Sequence, residues 1–377
     1  MPDSGPLSES GLLRLLDHEG NLTEVTEQTA ELSQIASALT PVDLRQMYAD
    51  MFLVRSFDRE ATSLQRQGEL GLWVQCLGQE GAQIGSAHAL SAQDFVFPSY
   101  REHGVLQVRG IPQLDLMKQF RGVDHGGWTP ADYNTHLYTL VIGSHTLHAT
   151  GYAMGMQRNG TVGTGDPATD SAVVAYFGDG ATAQGDVNEA LVFAAVNNAP
   201  IVFFCQNNQW AISESTLHQA RVPLAQRGDG FGVPNLRIDG NDVLVSYAAA
   251  KLALDQARAG QGPYFIEALT YRMGAHTTSD DPTRYRSREQ EQYWAQRDPL
   301  ARLETYLKSL DELPQDFVDG LNDRAAAEAE ALRDGVRNMG RPSSFAMFEH
   351  VYATEHALVN SEREWFGAYV DSFGGVK

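Results

Sequence analysis

Lysine is the scarcest charge in this 377-residue sequence: Lys118, Lys251, Lys308 and Lys377 are all there are, so arginine supplies the remaining cations. None of the four follows a glycine, which excludes a Walker phosphate loop. Four lysines also leave few candidates for a Schiff-base enzyme. Cysteine is scarcer still. Cys76 and Cys205 lie far apart, too few for a disulfide framework or a cysteine zinc knuckle. No apolar run approaches the ~18 residues of a membrane span. The first forty residues carry seven acids against one base, Arg14, the wrong charge pattern for a signal or transit peptide. The expectation is a soluble, cytoplasmic protein with no membrane contact. The formal charge of -20 argues against wrapping nucleic acid, which takes clustered cations. It suits solubility and attraction to a basic partner.

What is present is a globular composition, 42% hydrophobic and 9% aromatic, far above that of disordered chains. Residues 1 to 40 are polar and weakly periodic and read as an N-terminal arm. Thr40-Pro41 then opens a helical stretch, with Thr40 as its cap. Short apolar runs follow at Asp94–Phe97, Ser171–Phe177, Pro200–Cys205 and Tyr264–Thr270, with helical pattern between them. Buried strands alternating with helices predict an α/β fold, a parallel sheet with helices on both faces. Length alone suggests two domains at about 150 residues each. The motifs described next span 100 to 276, so the expected division is a 1–40 arm, a single α/β domain over 41–300, and a helical region over 301–377 packed on it. The helix from Ala325 to Arg333 is expected to be solvated.

The strongest chemical signal is Tyr176-Phe-Gly-Asp-Gly-Ala-Thr-Ala-Gln-Gly185, after a strand and before a helix. Gly178 and Gly180 let the backbone approach a diphosphate, and a helix N-terminus offers free amides. The run also reads Gly-x-Gly-x-x-Ala, so a dinucleotide site has to be weighed. Against it, the next strand ends in amides, Gln206-Asn-Asn208, where a ribose-binding acid is expected. Asp179 would also set a carboxylate against the phosphates. A divalent cation between them removes that conflict. Asp179 would supply one hard oxygen and an amide oxygen another; Asn208 follows at the spacing of one strand-helix-strand unit. Either residue alone reads more simply as a cap or a turn.

These residues, with Phe203–Ser213, Ile238–Val243 and Tyr271–Asp281, resemble the thiamine diphosphate motif and neighbouring runs of the alpha subunit of 2-oxo acid dehydrogenase first components. The branched-chain type is the nearest match and the pyruvate type second, over roughly residues 40 to 360. The resemblance implies a thiamine diphosphate-binding fold, with Mg²⁺ held by Asp179, Asn208 and the Trp210 backbone carbonyl. It implies cofactor contacts from Tyr100 and Arg101, from the backbones of Gly180 and Ala181, from the Leu140 carbonyl, and from Ile142 as an apolar wedge. Gln206 stands where branched-chain relatives often carry an arginine to the diphosphate. His276 matches the active-site histidine, able to bind a phosphate as a cation and to pass protons. It shares a loop with Arg272, Asp280, Asp281, Tyr285 and Arg286. Thr277 and Ser287 match positions phosphorylated in some relatives, although nothing in the sequence points to a kinase. His145 and His148 lack a third ligand and read as structural.

The implied activity is oxidative decarboxylation of a small, branched-chain 2-oxo acid, with acyl transfer to lipoamide. The implied partners are a beta subunit, in an α2β2 heterotetramer, and a lipoyl acyltransferase core. Leu72, Trp73 and Tyr100 are expected in the pocket wall. A nicotinamide-dependent dehydrogenase and a catalytically silent scaffold are the competing readings.

Overall fold

A computed structural model describes residues 7 to 374; residues 1–6 of the arm and 375–377 of the C-terminal region lie outside the described residues. Seven strands form: β1 Phe95–Phe97, β2 Val173–Gly178, β3 Ile201–Asn207, β4 Trp210–Ala211, β5 Glu214–Ser215, β6 Asn235–Asp239 and β7 Tyr264–Leu269. Five of them make one sheet in the order β1-β2-β3-β7-β6, every pair parallel. The remaining two, β4 and β5, form a small antiparallel hairpin. This is the expected α/β class.

The period-2 alternation of strands sorts their side chains between two cores. On one face Val174, Tyr176, Val202, Phe204, Ile266 and Ala268 meet the helices Pro41–Arg66, Glu80–His88 and Val243–Arg258. On the other, Val173, Ala175, Phe177, Phe203, Cys205 and Phe265 meet Ser144–Arg158 and Gly185–Asn197. With both faces covered, polar side chains have little place in the strand middles, which explains the apolar runs of β2 and β3; Glu267 of β7 and Arg237 of β6 are buried as a pair. Thr40 caps the first long helix as expected, in a capping box with Asp43.

Helix Gln315–Arg337 departs from expectation. It buries Leu321, Ala325, Leu332 and Val336, and Leu332 and Val336 join a third apolar cluster with Phe57, Trp73 and Trp128. Only its outer face is solvated. The final helix, Ala357–Asp371, buries no residue. Among the described residues no helix is long and apolar enough to cross a membrane.

The arm is tied to the edge of the sheet. Leu13 bridges β6 in parallel fashion, donating to the Arg237 carbonyl (3.0 Å) and accepting from the Asp239 amide (2.9 Å). Asp242 secures the attachment. Its Oδ2 accepts from the amides of Leu15 (2.6 Å) and Leu16 (2.7 Å), while Oδ1 caps the helix that follows, accepting from Leu244 (2.9 Å) and Val245 (3.3 Å). Asp242→Ala leaves buried amides unpaired and removes an N-cap, so it is expected to lower stability by about 3 kcal/mol in urea denaturation. A loss under about 1 kcal/mol would show that the arm is held by apolar packing alone.

Candidate functional site

The parallel register of β2 and β3 sets Gly178 opposite Gln206. Asp179 therefore leaves one strand one residue beyond that pair, and Asn208 leaves the neighbouring strand two residues beyond it. The carboxyl ends of β1 and β7 converge on the same spot through the segments that carry Tyr100 and Arg101, and His276. Together they enclose a cavity of about 250 Å³. Its wall includes Tyr100, Arg101, Ile142, Asp179, Gly180, Ala181, Gln206, Asn208, Trp210 and His276. Ligands in open α/β sheets bind outside the strand carboxyl ends in this way.

After β2 the chain does not enter a helix at once. Asp179–Ala183 is a 3₁₀ turn, and the helix begins at Gly185. The β4–β5 hairpin closes over the turn so tightly that a Cβ on Gly180 would lie 2.7 Å from the Ala211 Cβ. That close approach is what requires glycine here. Asp179 is buried, and its Oδ2 accepts from Thr216 Oγ1 (2.9 Å) and Gln219 Nε2 (3.1 Å). Burial pushes its carboxyl above the usual range, opposed by those two hydrogen bonds and the Arg272 charge. Asn208 accepts from the Trp210 amide at Oδ1 (3.2 Å) and donates from Nδ2 to Gln79 Oε1 (3.2 Å). Among the described residues no group of three or more His, Cys, Asp and Glu could hold a metal. Any cation here is held by one carboxylate and neutral oxygens, a set that suits a hard ion keeping other ligands of its own.

His276 lies between two guanidiniums, its Nδ1 3.2 Å from Arg101 Nη2 and 3.3 Å from Arg272 Nη1. An arginine offers only donors. Nδ1 must therefore accept, which leaves the ring neutral with its proton on Nε2. Burial and the two positive charges pull its pKa down to about 4. Arg101 also donates to the His276 carbonyl (3.0 Å) and to the Gln75 carbonyl. Arg272 ties the loop to the hairpin through the carbonyls of Trp210 (2.9 Å) and Ile212 (2.7 Å). Asp280 accepts from the His276 amide (2.8 Å) and from the Tyr285 hydroxyl, so the loop is braced from both sides. Thr277 and Ser287 serve local turns: Thr277 accepts from the Ser279 amide, and Ser287 caps helix Arg288–Ala295.

Gln206 reaches the cavity wall with its amide engaged, accepting from Gln83 Nε2 (3.0 Å) and donating to Glu102 Oε1 (2.7 Å). Burial pushes the Glu102 carboxyl up. Some expected residues are elsewhere. Leu140 is exposed and off the cavity wall, and Leu72, half-buried, is off it as well. Trp73 is fully buried, stacked on His103 at 4.4 Å and donating to Asp58 Oδ1 (2.7 Å), so it is core and no pocket wall. His145 is structural as read, with Nε2 on the Tyr176 carbonyl at 2.7 Å. The sequence reading missed Gln79, Glu102, Ile212 and Thr216. Ile212 alone left a trace, lying within the run Phe203–Ser213, but its left-handed backbone (φ 56°) was not legible.

The family model described as the dehydrogenase E1 component matches residues 48–339. The chain belongs to this family. It is 45% identical over 322 residues to the 3-methyl-2-oxobutanoate dehydrogenase subunit alpha of Mycobacterium tuberculosis (strain ATCC 25618 / H37Rv), covering 85% of this chain and 86% of that protein. It is 38% identical over 337 residues to the pyruvate dehydrogenase E1 component subunit alpha of Acholeplasma laidlawii, covering 89% and 94%. The protein of that name from Staphylococcus aureus (strain COL) is 32% identical over 347 residues, covering 92% and 90%. The order of the two types is the one that the motifs suggested.

The neutral state of His276 in this E1 chain has a measurable sign. The folded value, about 4, lies below the ordinary histidine value of about 6.5, so the unfolded chain binds the extra proton first. Stability is fully present above about 6.5 and falls as pH drops from there toward 4. In an imidazole NMR titration, with His276→Asn identifying the resonance, the midpoint is expected near 4; a midpoint near 6.5 contradicts the arginine clamp.

Proposed function

We propose that this E1 chain is the alpha subunit of a 2-oxo acid dehydrogenase first component, acting on branched-chain 2-oxo acids in preference to pyruvate. The observation that carries the proposal is the meeting of Asp179, Asn208, the Trp210 carbonyl, Arg101 and His276 at one cavity. Asp179 and Asn208 with the Trp210 carbonyl would hold Mg²⁺, and Tyr100, Arg101, Gly180 and Ala181 the diphosphate. The donor set fits, since the Asp179 Oδ2 bonds leave Oδ1 for a cation, and a carbonyl engaged by Arg272 keeps a second lone pair. When bound, thiamine diphosphate supplies the carbon nucleophile that adds to the 2-oxo carbon and takes up the electron pair freed as CO₂ leaves.

The chain's own residues position and protonate. Arg101 and Arg272 bring positive charge to a buried wall, where it acts at low dielectric. His276, neutral with Nε2–H free of the arginines, has a proton to give to an oxygen of the substrate or to the leaving dithiolane sulfur of an arriving lipoyl group. Ile142 and Ile212 supply apolar wall; Ile142 would be the apolar wedge of the cofactor site, and Leu140, whose side chain is exposed, would offer it a backbone carbonyl.

At about 250 Å³ the cavity is smaller than the roughly 300–1,000 Å³ that bury a ligand of cofactor size. Its mouth carries exposed apolar wall residues, Ile212 at 57% and Ile142 at 39%. Both features support a site completed by a beta subunit, in an α2β2 assembly docked on a lipoyl acyltransferase core. The proposal extends to a cytoplasmic setting, which two buried, unpaired thiols suit. It also treats residues 1–40, 41–300 and 301–377 as arm, α/β domain and helical region.

Asp179→Ala is expected to abolish Mg²⁺-dependent thiamine diphosphate binding by the assembly with its beta subunit; unchanged affinity in calorimetry would sink the reading. His276→Ala should leave cofactor affinity within about threefold and slow reductive acylation of lipoamide by about a hundredfold or more. A normal overall rate removes His276 from the chemistry. Comparing kcat/KM for pyruvate and for the branched acids decides the substrate class, and a preference for pyruvate would reverse the proposed order.

A further inference from the structure

Gln79 is the residue before helix Glu80–His88, yet its side chain makes no capping bond. It is spent on the cavity instead. The residue is 1% exposed and lies on the cavity wall. Its Oε1 accepts from Asn208 Nδ2 at 3.2 Å, which fixes the direction of the amide, because a nitrogen in that position would face another donor. Nε2, at the other end, is buried and has no hydrogen-bond partner.

A buried donor without a partner costs stability, and such groups are few in folded chains. Rotating the amide would pair nothing and would lose Asn208. The neighbouring amides at this wall are in use, Gln83 on Gln206 and the Arg101 carbonyl, and Gln206 on Glu102. Cations are in use as well, since Arg101 reaches the His276 and Gln75 carbonyls. Gln79 Nε2 is therefore an uncommitted N–H donor beside the proposed cation ligands.

We infer that Gln79 is a diphosphate-binding residue: Nε2 donates to an oxygen of the bound diphosphate, while Oε1 holds the Asn208 amide in its orientation for the cation. The inference rests on the thiamine diphosphate reading above. It also gives a role to neutral amides at a wall where Gln206 brings no cation. A 2-oxo acid carboxylate is the other anionic oxygen that could enter this cavity; contact with Asn208 favours the diphosphate.

The test uses the assembly with its beta subunit, saturated with Mg²⁺, and measures thiamine diphosphate affinity by calorimetry for wild type, Gln79→Glu and Gln79→Met. Gln79→Glu keeps an oxygen for Asn208 and replaces the donor by a second acceptor, whereas Gln79→Met keeps the length and loses both contacts. Each variant should weaken cofactor binding by about tenfold or more. Cofactor-induced thermal stabilisation should shrink in parallel, with the cofactor-free melting temperature near that of wild type. KM for the 2-oxo acid at saturating cofactor should not move. Cofactor affinity within about twofold of wild type in both variants overturns the inference, as does a raised 2-oxo acid KM with unchanged cofactor affinity. A wild-type assembly that binds no thiamine diphosphate overturns the functional reading and this inference together; normal wild-type binding with unaffected variants overturns this inference alone.

Discussion

A carboxylate held out of water at the end of a parallel strand is the constraint on which this molecule turns. Asp179 is buried beyond β2, where desolvation disfavours its charge. Everything nearby compensates. Thr216 and Gln219 donate to it, Asn207 steadies the Thr216 hydroxyl (3.1 Å), and Glu267 in turn accepts from Asn207 (2.7 Å). The β4–β5 hairpin exists to deliver Thr216, and Gly180 is glycine so that the hairpin can close. A chain that maintains such an arrangement at a cavity wall has a use for a hard anionic oxygen there.

The rest of the wall is built from neutral amides and shared protons more than from free charge. Gln83, Gln206 and Glu102 form one chain of hydrogen bonds and Gln79 with Asn208 another. Arg101 at the cavity and Arg272 beside His276 are braced by backbone carbonyls and by His276, which they hold neutral. A site prepared in this way reorganises little when an anion arrives, and preorganised dipoles in a dry cavity act strongly. The exposed apolar mouth supplies the complementary half of the argument: the inner end is finished, and the outer end is left for another surface.

Much of this was legible in the sequence because it was local. Strand runs reveal themselves when both faces are buried, since few polar residues interrupt them. Thr40 before Pro41 is a cap signal that needs no tertiary context. Asp179 and Asn208 could be paired from spacing because one strand-helix-strand unit of ordinary length brings neighbouring strand ends together. Trp73, by contrast, was read as pocket wall, and its burial against Phe57 of helix Pro41–Arg66 and His103 comes from tertiary packing on both sides of it in the chain. Helix Gln315–Arg337 hid its packing face for the same reason: Leu332 and Val336 are sparse among charges, and only the partner surface shows that they are enough.

The sequence by itself determined the class of fold, the family resemblance and the pair of oxygen ligands, since strand alternation, caps and motif spacing are written within short stretches of chain. Only the tertiary structure decided protonation, commitment and access. His276 is neutral because Arg101, 175 residues away, joins Arg272 of its own loop in flanking it, Gln206 is engaged because Gln83 and Glu102 reach it, and Gln79 holds an open donor because Asn208 takes its oxygen. Each of these depends on which groups share a buried space and compete for the same hydrogen bonds, and no local pattern encodes that competition.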